Sequence, residues 1–390
     1  MSRETLARPY VALTLLTLIL LVATGCGASS ATTSTTPSPS ASASITATGS
    51  ESETPTTAAG GPTATPGPAL SSLTVYAGSG DGNFYGINAA NGQKRWSYAT
   101  GAGGNKPITS NGLVYFGTDA GHVFALNGGA LVWRYGPVGG INGRPALESG
   151  VVVVGSYDNN VYGINASNGS PKWTFSTGSQ VSNGVASSNG VAYVGSSDFY
   201  LYAINVSNGS LKWKFKEEAP VEFGTPAIVN GVVYSGDDTG HFYALNANTG
   251  AKLWSFQAGS GIASRAAVAN GTVYIGSQDH NLYALNASNG QKRWSYQTDS
   301  TVGVPVLYSN LVAVASNNGT VYALDAGNGS FKWKFPTGGG GGTSPWIAVT
   351  QNIVYTGSGN GAVYAINGGN GKQAWKFSTG GPCSSPAVAQ

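Results

Sequence analysis

Residues 273–296 read VYIGSQDHNLYALNASNGQKRWSY, and this phrase decides the fold because it recurs along the chain. It begins again at Val75, Val114, Val152, Ala192, Val233, Val312 and Val354. The gaps between the tryptophans that close the copies run from 37 (Trp96 to Trp133) to 42 (Trp333 to Trp375). These tryptophans are Trp96, Trp133, Trp173, Trp213, Trp254, Trp294, Trp333 and Trp375. A fixed period of about 40 residues indicates one supersecondary unit repeated eight times.

Each copy predicts four short β-strands. Runs such as 273–277 and 282–286 are rich in β-branched and aromatic residues. Asn289-Gly290 then predicts a hairpin in which both turn residues take positive φ. A fourth strand is expected between each tryptophan and the next Val-Tyr, where text such as Pro226-Ala227-Ile228 occurs. Four antiparallel strands per repeat make one blade, so the sequence predicts an all-β, eight-bladed β-propeller.

The two ends of the repeat region are complementary. The chain ends with SSPAVAQ at 384–390, which matches the sequence expected for a fourth strand but has no Val-Tyr after it. The first copy, at Val75, lacks that preceding strand. We therefore predict that the C-terminal strand completes the first blade and leaves no open edge. An open solenoid would need capping repeats, and the sequence shows none.

The phrase LYALNAxxGxxxW resembles the pyrroloquinoline-quinone (PQQ) type, quinoprotein-like and BamB-like propeller repeat with its tryptophan-docking motif. The resemblance covers residues 71–390. It implies that each of the eight tryptophans packs against a neighbouring blade and holds the ring together. A large aromatic side chain at one fixed place per blade is expected to serve packing on physical grounds too. Trp346 lies outside the phrase and is given no such role.

Composition excludes several classes of protein. Gly is 59 of 390 residues, about twice the usual share, and charged residues are 9 %. So much Gly argues against a helical bundle, and 11 % aromatic residues argue against a charged, disordered chain. The formal charge of +3 is spread thinly, so no nucleic-acid partner is expected. Two Cys residues provide no disulfide framework.

Residues 1–25 predict a lipoprotein signal peptide. The apolar stretch from Val11 to Ala23 reaches about 20 Å, short of a bilayer core of about 30 Å. It runs into Ala23-Thr-Gly-Cys26, which resembles a bacterial lipobox with Ala in place of the usual Leu, and this implies lipidation of Cys26. An ordinary secretory signal is the alternative. Residues 26–70 then predict the lipidated Cys and a disordered Ser/Thr/Pro/Ala-rich tether, because that segment buries too little apolar surface to fold.

The family implied by the repeat includes quinoprotein dehydrogenases and non-catalytic members, and the residues favour the second group. The enzymes imply Ca²⁺ beside the quinone, two adjacent Cys residues and long insertions that roof the site. Here Cys26 and Cys383 are far apart, and the repeats vary by only a few residues. We expect no enzyme, no catalytic residue, no metal and no cofactor, PQQ and Ca²⁺ included. Four aspartates at one repeat position are interpreted as turn formers: Asp81, Asp158, Asp198 and Asp279.

Two charge clusters remain. Lys106, Arg144 and Arg265 come just before the fourth strand of blades two, three and six. If that strand is innermost, these cations lie at one level of one channel mouth, where they could focus an anionic ligand. Three solvated cations on a rim are the alternative. The run from Glu217 to Glu222 is interpreted as a solvated loop, with a partner contact as the alternative.

These expectations combine into one prediction of function. The chain is a lipid-anchored, extracytoplasmic, monomeric protein of the cell membrane whose propeller is a non-catalytic protein-interaction scaffold. Its partner is an unknown envelope protein or cell-surface component. A small-ligand or saccharide binding module, or sensor, is the alternative. A PQQ-dependent dehydrogenase is the third hypothesis, and the residues favour it least.

Overall fold

The computed structural model describes residues 68–222, 224–262, 264–339 and 347–389. The predicted signal peptide, Cys26, the tether up to residue 67 and Trp346 lie outside the described residues. A short 3₁₀ helix, Leu70–Ser72, leads into the first strand. Within the described part, no helix is long and apolar enough to span a membrane.

Thirty-two β-strands in the described residues form eight sheets of four strands each. In chain order they are β1 (Thr74–Gly78), β2 (Asn83–Asn88), β3 (Lys94–Ala99), β4 (Ile108–Ser110), β5 (Leu113–Gly117), β6 (Val123–Asn127), β7 (Ala130–Tyr135), β8 (Ala146–Glu148), β9 (Val151–Gly155), β10 (Asn160–Asn165), β11 (Pro171–Ser176), β12 (Ala186–Ser188), β13 (Val191–Gly195), β14 (Tyr200–Asn205), β15 (Leu211–Lys216), β16 (Ala227–Val229), β17 (Val232–Gly236), β18 (His241–Asn246), β19 (Lys252–Gln257), β20 (Ala267–Ala269), β21 (Thr272–Gly276), β22 (Asn281–Asn286), β23 (Lys292–Gln297), β24 (Val306–Tyr308), β25 (Leu311–Ala315), β26 (Thr320–Asp325), β27 (Phe331–Pro336), β28 (Ile347–Thr350), β29 (Ile353–Ser358), β30 (Ala362–Asn367), β31 (Gln373–Ser378) and β32 (Ala387–Ala389). Every neighbouring pair is antiparallel, and the predicted eight-bladed β-propeller is confirmed.

The shortest strand of each sheet, three or four residues long, is the innermost one. Blade three, for example, has the order β8-β9-β10-β11. Inner strands of successive blades contact one another, as β8 contacts β12 and β12 contacts β16. The strands predicted as the fourth of each repeat therefore surround the axis. The strand that carries the repeat tryptophan forms the outer edge of each blade.

The first blade is closed by the other end of the chain. Strand β32 pairs antiparallel with β1, with Tyr76 opposite Ala387 and Thr74 opposite Ala389. The Ser384 N–H donates to the Gly78 carbonyl oxygen at 2.9 Å. The prediction that the C-terminal strand completes the first blade is confirmed, and the two ends of the repeat region hold each other in the ring.

The hydrophobic core lies between the blades. The second strands are the most buried, and β9 and β13 are buried along their whole length, because a neighbouring blade covers each face. Phe84 of blade one stacks on Phe116 of blade two, with ring centroids 3.8 Å apart. The outermost strands alternate instead between exposed and half-buried residues, as in β15. Each blade thus needs two neighbours to bury its sheet, which explains why the ring is closed.

The turns differ from the prediction in one respect. The Asn208-Gly209 step is not a two-residue hairpin with two positive φ angles, since only Gly209 has positive φ (+74°). It belongs to a longer loop in which the Gly209 N–H donates to the Asn205 carbonyl oxygen at 2.8 Å. Two positive φ angles occur in the turn between the first two strands of a blade, as at Asn189 (+52°) and Gly190 (+74°). That two-residue turn suits the twist of the hairpin.

Candidate binding site and the seams between blades

The repeat tryptophans lie on the seams between blades. The indole Nε1 of Trp173 donates to the carbonyl oxygen of Val206 in the next blade at 2.7 Å. The same bond joins Trp133 to Ala166 (2.8 Å), Trp213 to Ala247 (2.9 Å), Trp254 to Ala287 (2.9 Å), Trp294 to Ala326 (3.3 Å), Trp333 to Gly368 (2.7 Å) and Trp375 to Ala89 (3.0 Å). The face of the Trp173 ring covers Gly209, where an added Cβ would lie 2.8 Å from the ring. We propose that these tryptophans dock the blades.

Trp96 differs from the other seven. Blade two has a shortened turn, Gly128-Gly129, in place of the longer loop of the other blades. The Trp96 ring covers Gly129, where an added Cβ would lie 2.8 Å from the ring. Within the described residues, its indole N–H forms no hydrogen bond to blade two. The shortened turn thus keeps the ring contact and loses the polar one.

A tyrosine hydroxyl, which the sequence pattern did not predict, adds a second hydrogen bond at the seam between blades eight and one. The Tyr355 hydroxyl donates to the Ala89 carbonyl oxygen at 3.1 Å, so this oxygen accepts from Trp375 and Tyr355 together. Six blades have a tyrosine at this position, whereas blade three has Val153 and blade seven has Ala313. In blade seven, Tyr308 of the inner strand β24 donates instead to the Gly368 carbonyl oxygen at 3.0 Å.

The repeated aspartates form a second set of contacts between blades. Oδ1 of Asp279 accepts from the Asn281 backbone N–H at 2.9 Å, as a turn former does. Its Oδ2 accepts from the Tyr283 hydroxyl at 2.7 Å and from the Gly259 N–H at 2.7 Å, and Gly259 follows the outer strand of the preceding blade. The same three contacts recur at Asp81, Asp158 and Asp198. The turn-former interpretation is therefore incomplete, because each aspartate also ties one blade to its neighbour.

Hydrogen bonds stabilise the charged form of Asp279. Burial alone would raise the pKa of Asp279, but the bonds from Tyr283, Asn281 and Gly259 outweigh it and lower that pKa. Burial and the neighbouring carboxylate raise the pKa of Tyr283 to about 12. The pair therefore holds as a carboxylate and a neutral phenol at neutral pH.

Most positively charged side chains lie on the outermost strands of the blades. Thirteen of the chain's 19 Lys and Arg residues lie on the outermost strands, and Lys372 directly precedes β31. The thirteen are Lys94, Arg95, Arg134, Lys172, Lys212, Lys214, Lys216, Lys252, Lys292, Arg293, Lys332, Lys334 and Lys376. Charged side chains on edge strands discourage edge-to-edge pairing with other chains. In the described ranges, the three cations that remain are Lys106, Arg144 and Arg265.

Two of these three line one cavity near the axis. Arg144 precedes β8 and Arg265 precedes β20, and both line a cavity of about 600 Å³ that we call the axial cavity. Its wall includes residues of the inner strands β4, β8, β12 and β16. Lys106 is not among the residues lining it. Arg144 and Arg265 thus share the wall of one cavity, and Lys106 is not part of that wall.

Lys106 has a different electrostatic environment. Burial of its ammonium group lowers the pKa of Lys106 to about 8. A lysine that is only partly protonated near pH 8 is a weaker anchor for an anion than an arginine, which stays charged. This separates Lys106 from the arginine pair in chemistry as well as in place.

The acidic run is not a uniformly solvated loop. Glu218 is exposed, but Glu217 is 2 % exposed and accepts a hydrogen bond from the Ser235 hydroxyl at 2.7 Å. Burial, with Asp237 and Asp238 nearby, raises the pKa of Glu217 to about 8. The solvated-loop interpretation is wrong for Glu217, because the polypeptide turns inward at the end of β15.

Candidate metal ligands do not converge in the described part of the chain. No group of three or more His, Cys, Asp or Glu residues there could hold a metal ion. Cys383 is buried, which raises the pKa of its thiol to about 11. The thiol is therefore protonated at neutral pH.

The fold and the docking contacts define a quinoprotein-like eight-bladed β-propeller. The sequence profile of one family, described as "Outer membrane protein assembly factor BamB", matches residues 99–214, 174–317 and 317–390. These matches cover well over half of the chain, and the chain belongs to that family.

Individual relatives agree with this assignment. Two proteins named outer membrane protein assembly factor BamB match part of the chain: one from Nitrosomonas eutropha at 27 % identity over 119 residues, and one from Burkholderia pseudomallei at 30 % over 110 residues. Each match covers 28 % of this chain, and the chain spans only 27 % and 29 % of those relatives' lengths.

Solved structures share the fold. BamB from Moraxella catarrhalis superposes with a TM-score of 0.64 at 17 % identity, covering 72 % of this chain and 89 % of its own. The computationally designed Ika8 protein gives a TM-score of 0.65 at 18 % identity, with 73 % and 90 % coverage. At such low identity, these likenesses establish the propeller architecture alone.

Proposed function

We propose that this chain is a non-catalytic scaffold of the cell envelope whose propeller holds a protein partner. Membership in the BamB family supports this proposal, since that family is named for outer-membrane protein assembly. We further propose that Cys26 carries the lipid anchor and that residues 27–70 tether the propeller at the extracytoplasmic face of the membrane.

The observation that carries the proposal is an unusual outer strand. On β7, Leu131 and Val132 are 47 % and 45 % exposed. In six other blades, Lys or Arg occupies one of the two positions before the tryptophan: Arg95, Lys172, Lys212, Lys252, Arg293 and Lys332. Strand β7 has Leu131 and Val132 there, and its one cation, Arg134, follows the tryptophan instead. Two adjacent apolar side chains are therefore exposed on this edge strand, where those six blades carry a charge. We propose that an extended segment of an envelope protein pairs with the free edge of β7 and covers these two side chains.

Site-specific cross-linking in intact cells tests this proposal. A photo-reactive residue replaces Val132 in one variant and Lys172 in a matched control, since both positions directly precede the tryptophan of adjacent blades. We expect the Val132 variant to capture one envelope protein through an extended segment, and the Lys172 variant not to capture it. The additional change Leu131→Lys should abolish the capture. Equal capture from both positions, or none, would overturn the assignment of β7.

The anchor and the absence of catalysis have their own tests. Cys26→Ala should release the protein from the membrane fraction, and retention of the variant there would refute the anchor. Purified protein should give no dye reduction with PQQ, Ca²⁺ and alcohol or sugar substrates. Turnover in that assay would make the chain a dehydrogenase instead.

A further inference from the structure

We propose that the axial cavity binds a small organic anion whose carboxylate or phosphate group pairs with the guanidinium groups of Arg144 and Arg265. Both residues line the one cavity, although they belong to blades three and six. This binding site lies near the axis, whereas the proposed partner surface on β7 is at the rim. The two functions are therefore separable by experiment.

The charges around the cavity favour an anion. Among the described residues that line it, Arg144 and Arg265 are charged and the others are not. The acidic residue nearest in sequence, Glu148 on β8, accepts a hydrogen bond from the Gly190 N–H at 3.1 Å. Two like charges in a protein-walled cavity attract an anion more strongly than the same charges in bulk water.

Arginine is suited to this task. Its planar fork can bond both oxygens of a carboxylate or phosphate, and it remains protonated at any physiological pH. The cations of the outer strands are mostly lysines, whereas both cations of the axial cavity are arginines. The site is thus built for bidentate recognition of an oxyanion.

The backbone around Arg144 is held in place by the neighbouring blade. The Arg144 carbonyl oxygen accepts from the Val185 N–H at 2.9 Å. The adjacent Gly184 N–H donates to the Thr225 hydroxyl at 3.1 Å, and Thr225 also lines the cavity. Three successive blades are linked at this level, so the frame that carries the guanidinium group is ordered before a ligand arrives. Such preorganisation lowers the entropy cost of binding.

The cavity has room for more than an inorganic ion. Its volume of about 600 Å³ lies within the usual range for small-molecule sites. Ile108, Leu147 and Ile228 provide apolar wall, and Asn111 and Ser187 provide hydrogen-bonding groups. We therefore assign the ligand an organic body with both apolar and polar surface, such as a sugar acid or a sugar phosphate.

Isothermal titration of the purified protein with three probes tests the proposal. Glucose 6-phosphate and glucuronate present a phosphate and a carboxylate on similar bodies, and glucose is the neutral control. We expect at least one anionic probe to bind while glucose does not. The better of the two anions distinguishes a phosphate site from a carboxylate site.

Variants connect the binding to the cavity. The double variant Arg144→Gln, Arg265→Gln should weaken the anion by about tenfold or more, since hydrogen bonds to charged groups are lost. The control double variant Arg134→Gln, Lys172→Gln removes the same two positive charges from exposed positions on β7 and β11 and should leave affinity unchanged. Circular dichroism checks that the cavity double variant is folded. A second double variant, Arg144→Lys, Arg265→Lys, keeps both charges but loses the planar guanidinium groups, and it should bind the anion less tightly than the native protein. The proposal is wrong if neither anion binds better than glucose, or if Arg134→Gln, Lys172→Gln loses as much affinity as the cavity double variant.

Discussion

The indole Nε1 of Trp375, in the last blade, lies 3.0 Å from the carbonyl oxygen of Ala89, in the first blade. This contact repeats, across the closing seam of the ring, the bond that joins Trp133 to Ala166 within it. The seam where the chain ends meet is therefore fastened in the same way as the continuous seams. Closure is a tertiary contact between distant parts of the sequence, and its strength is open to measurement.

Trp375→Phe should weaken the closing seam. The substitution keeps an aromatic ring but removes the Trp375 donor, while Tyr355 still donates to the Ala89 oxygen, so the free energy of unfolding should fall by about 0.5–1.5 kcal/mol. Trp96→Phe is the matched control, because Trp96 makes the ring contact without that hydrogen bond in the described structure. Urea denaturation measures both variants. If the two substitutions cost the same, the hydrogen bond contributes nothing to the seam.

Gly209→Ala should cost more than Gly190→Ala. Both glycines have φ of +74°, so alanine is strained by about 1–2 kcal/mol at either position. At Gly209 the new Cβ would also lie 2.8 Å from the Trp173 ring, whereas at Gly190 nothing lies within 4 Å. Overpacking should add about 1–3 kcal/mol at Gly209 alone. Equal melting temperatures for the two variants would show that the ring does not press on this turn.

Glu217→Gln should stabilise the protein at neutral to alkaline pH. The folded-state pKa of Glu217 is raised to about 8, so the stability that its protonated form contributes is complete below about pH 4.5 and is lost as the pH rises through 8. The gain from Gln should therefore grow between these values and level off at about 1–3 kcal/mol. Glu218→Gln, at the exposed neighbouring position, should show no such pH dependence. Unfolding curves from pH 4 to pH 9 measure both, and parallel curves for the two variants would contradict the buried-acid assignment.

Tyr283→Phe should raise the pKa of Asp279. The folded-state pKa of Asp279 is lowered, so its contribution to stability is present above the unfolded value of about 3.9 and is lost as the pH falls through the folded value. Removing the Tyr283 hydroxyl removes one of the bonds that lower this pKa. Tyr274→Phe is the control, because the Tyr274 hydroxyl donates to the Ala326 carbonyl oxygen instead. Carbon-13 NMR titration of the Asp279 carboxyl group should separate the two variants, and identical titrations would refute the effect of the Tyr283 bond.

Local sequence signals were reliable for the strands and less reliable for the turns. The Val-Tyr and Leu-Tyr-Ala-Leu-Asn runs became strands because β-branched and aromatic residues suit a sheet that is covered on both faces. Asn-Gly proved ambiguous. Asn189-Gly190 forms the two-residue turn, whereas Asn208-Gly209 is part of a longer loop whose conformation depends on the Trp173 ring of the neighbouring blade.

The sequence could not show the second role of the repeated aspartates. A local reading found the bond from Asp279 to its own turn, because that partner is two residues away. The bond from the Gly259 N–H connects positions twenty residues apart in different blades, so it exists only after the blades pack. The same holds for Glu217, which is adjacent to the exposed Glu218 in sequence but points into the protein.

The sequence by itself determined the repeat, the number of blades and the pairing of the last strand with the first, because each follows from a pattern that every copy carries. The tertiary structure decided which charged side chains line a common cavity. Arg144 and Arg265 are three blades apart along the chain and line one axial cavity, while Lys106, at the equivalent place in the repeat, does not line it. Repeat position fixes the level of a side chain in its blade, but the closure of the ring determines which side chains on the inner strands face one another.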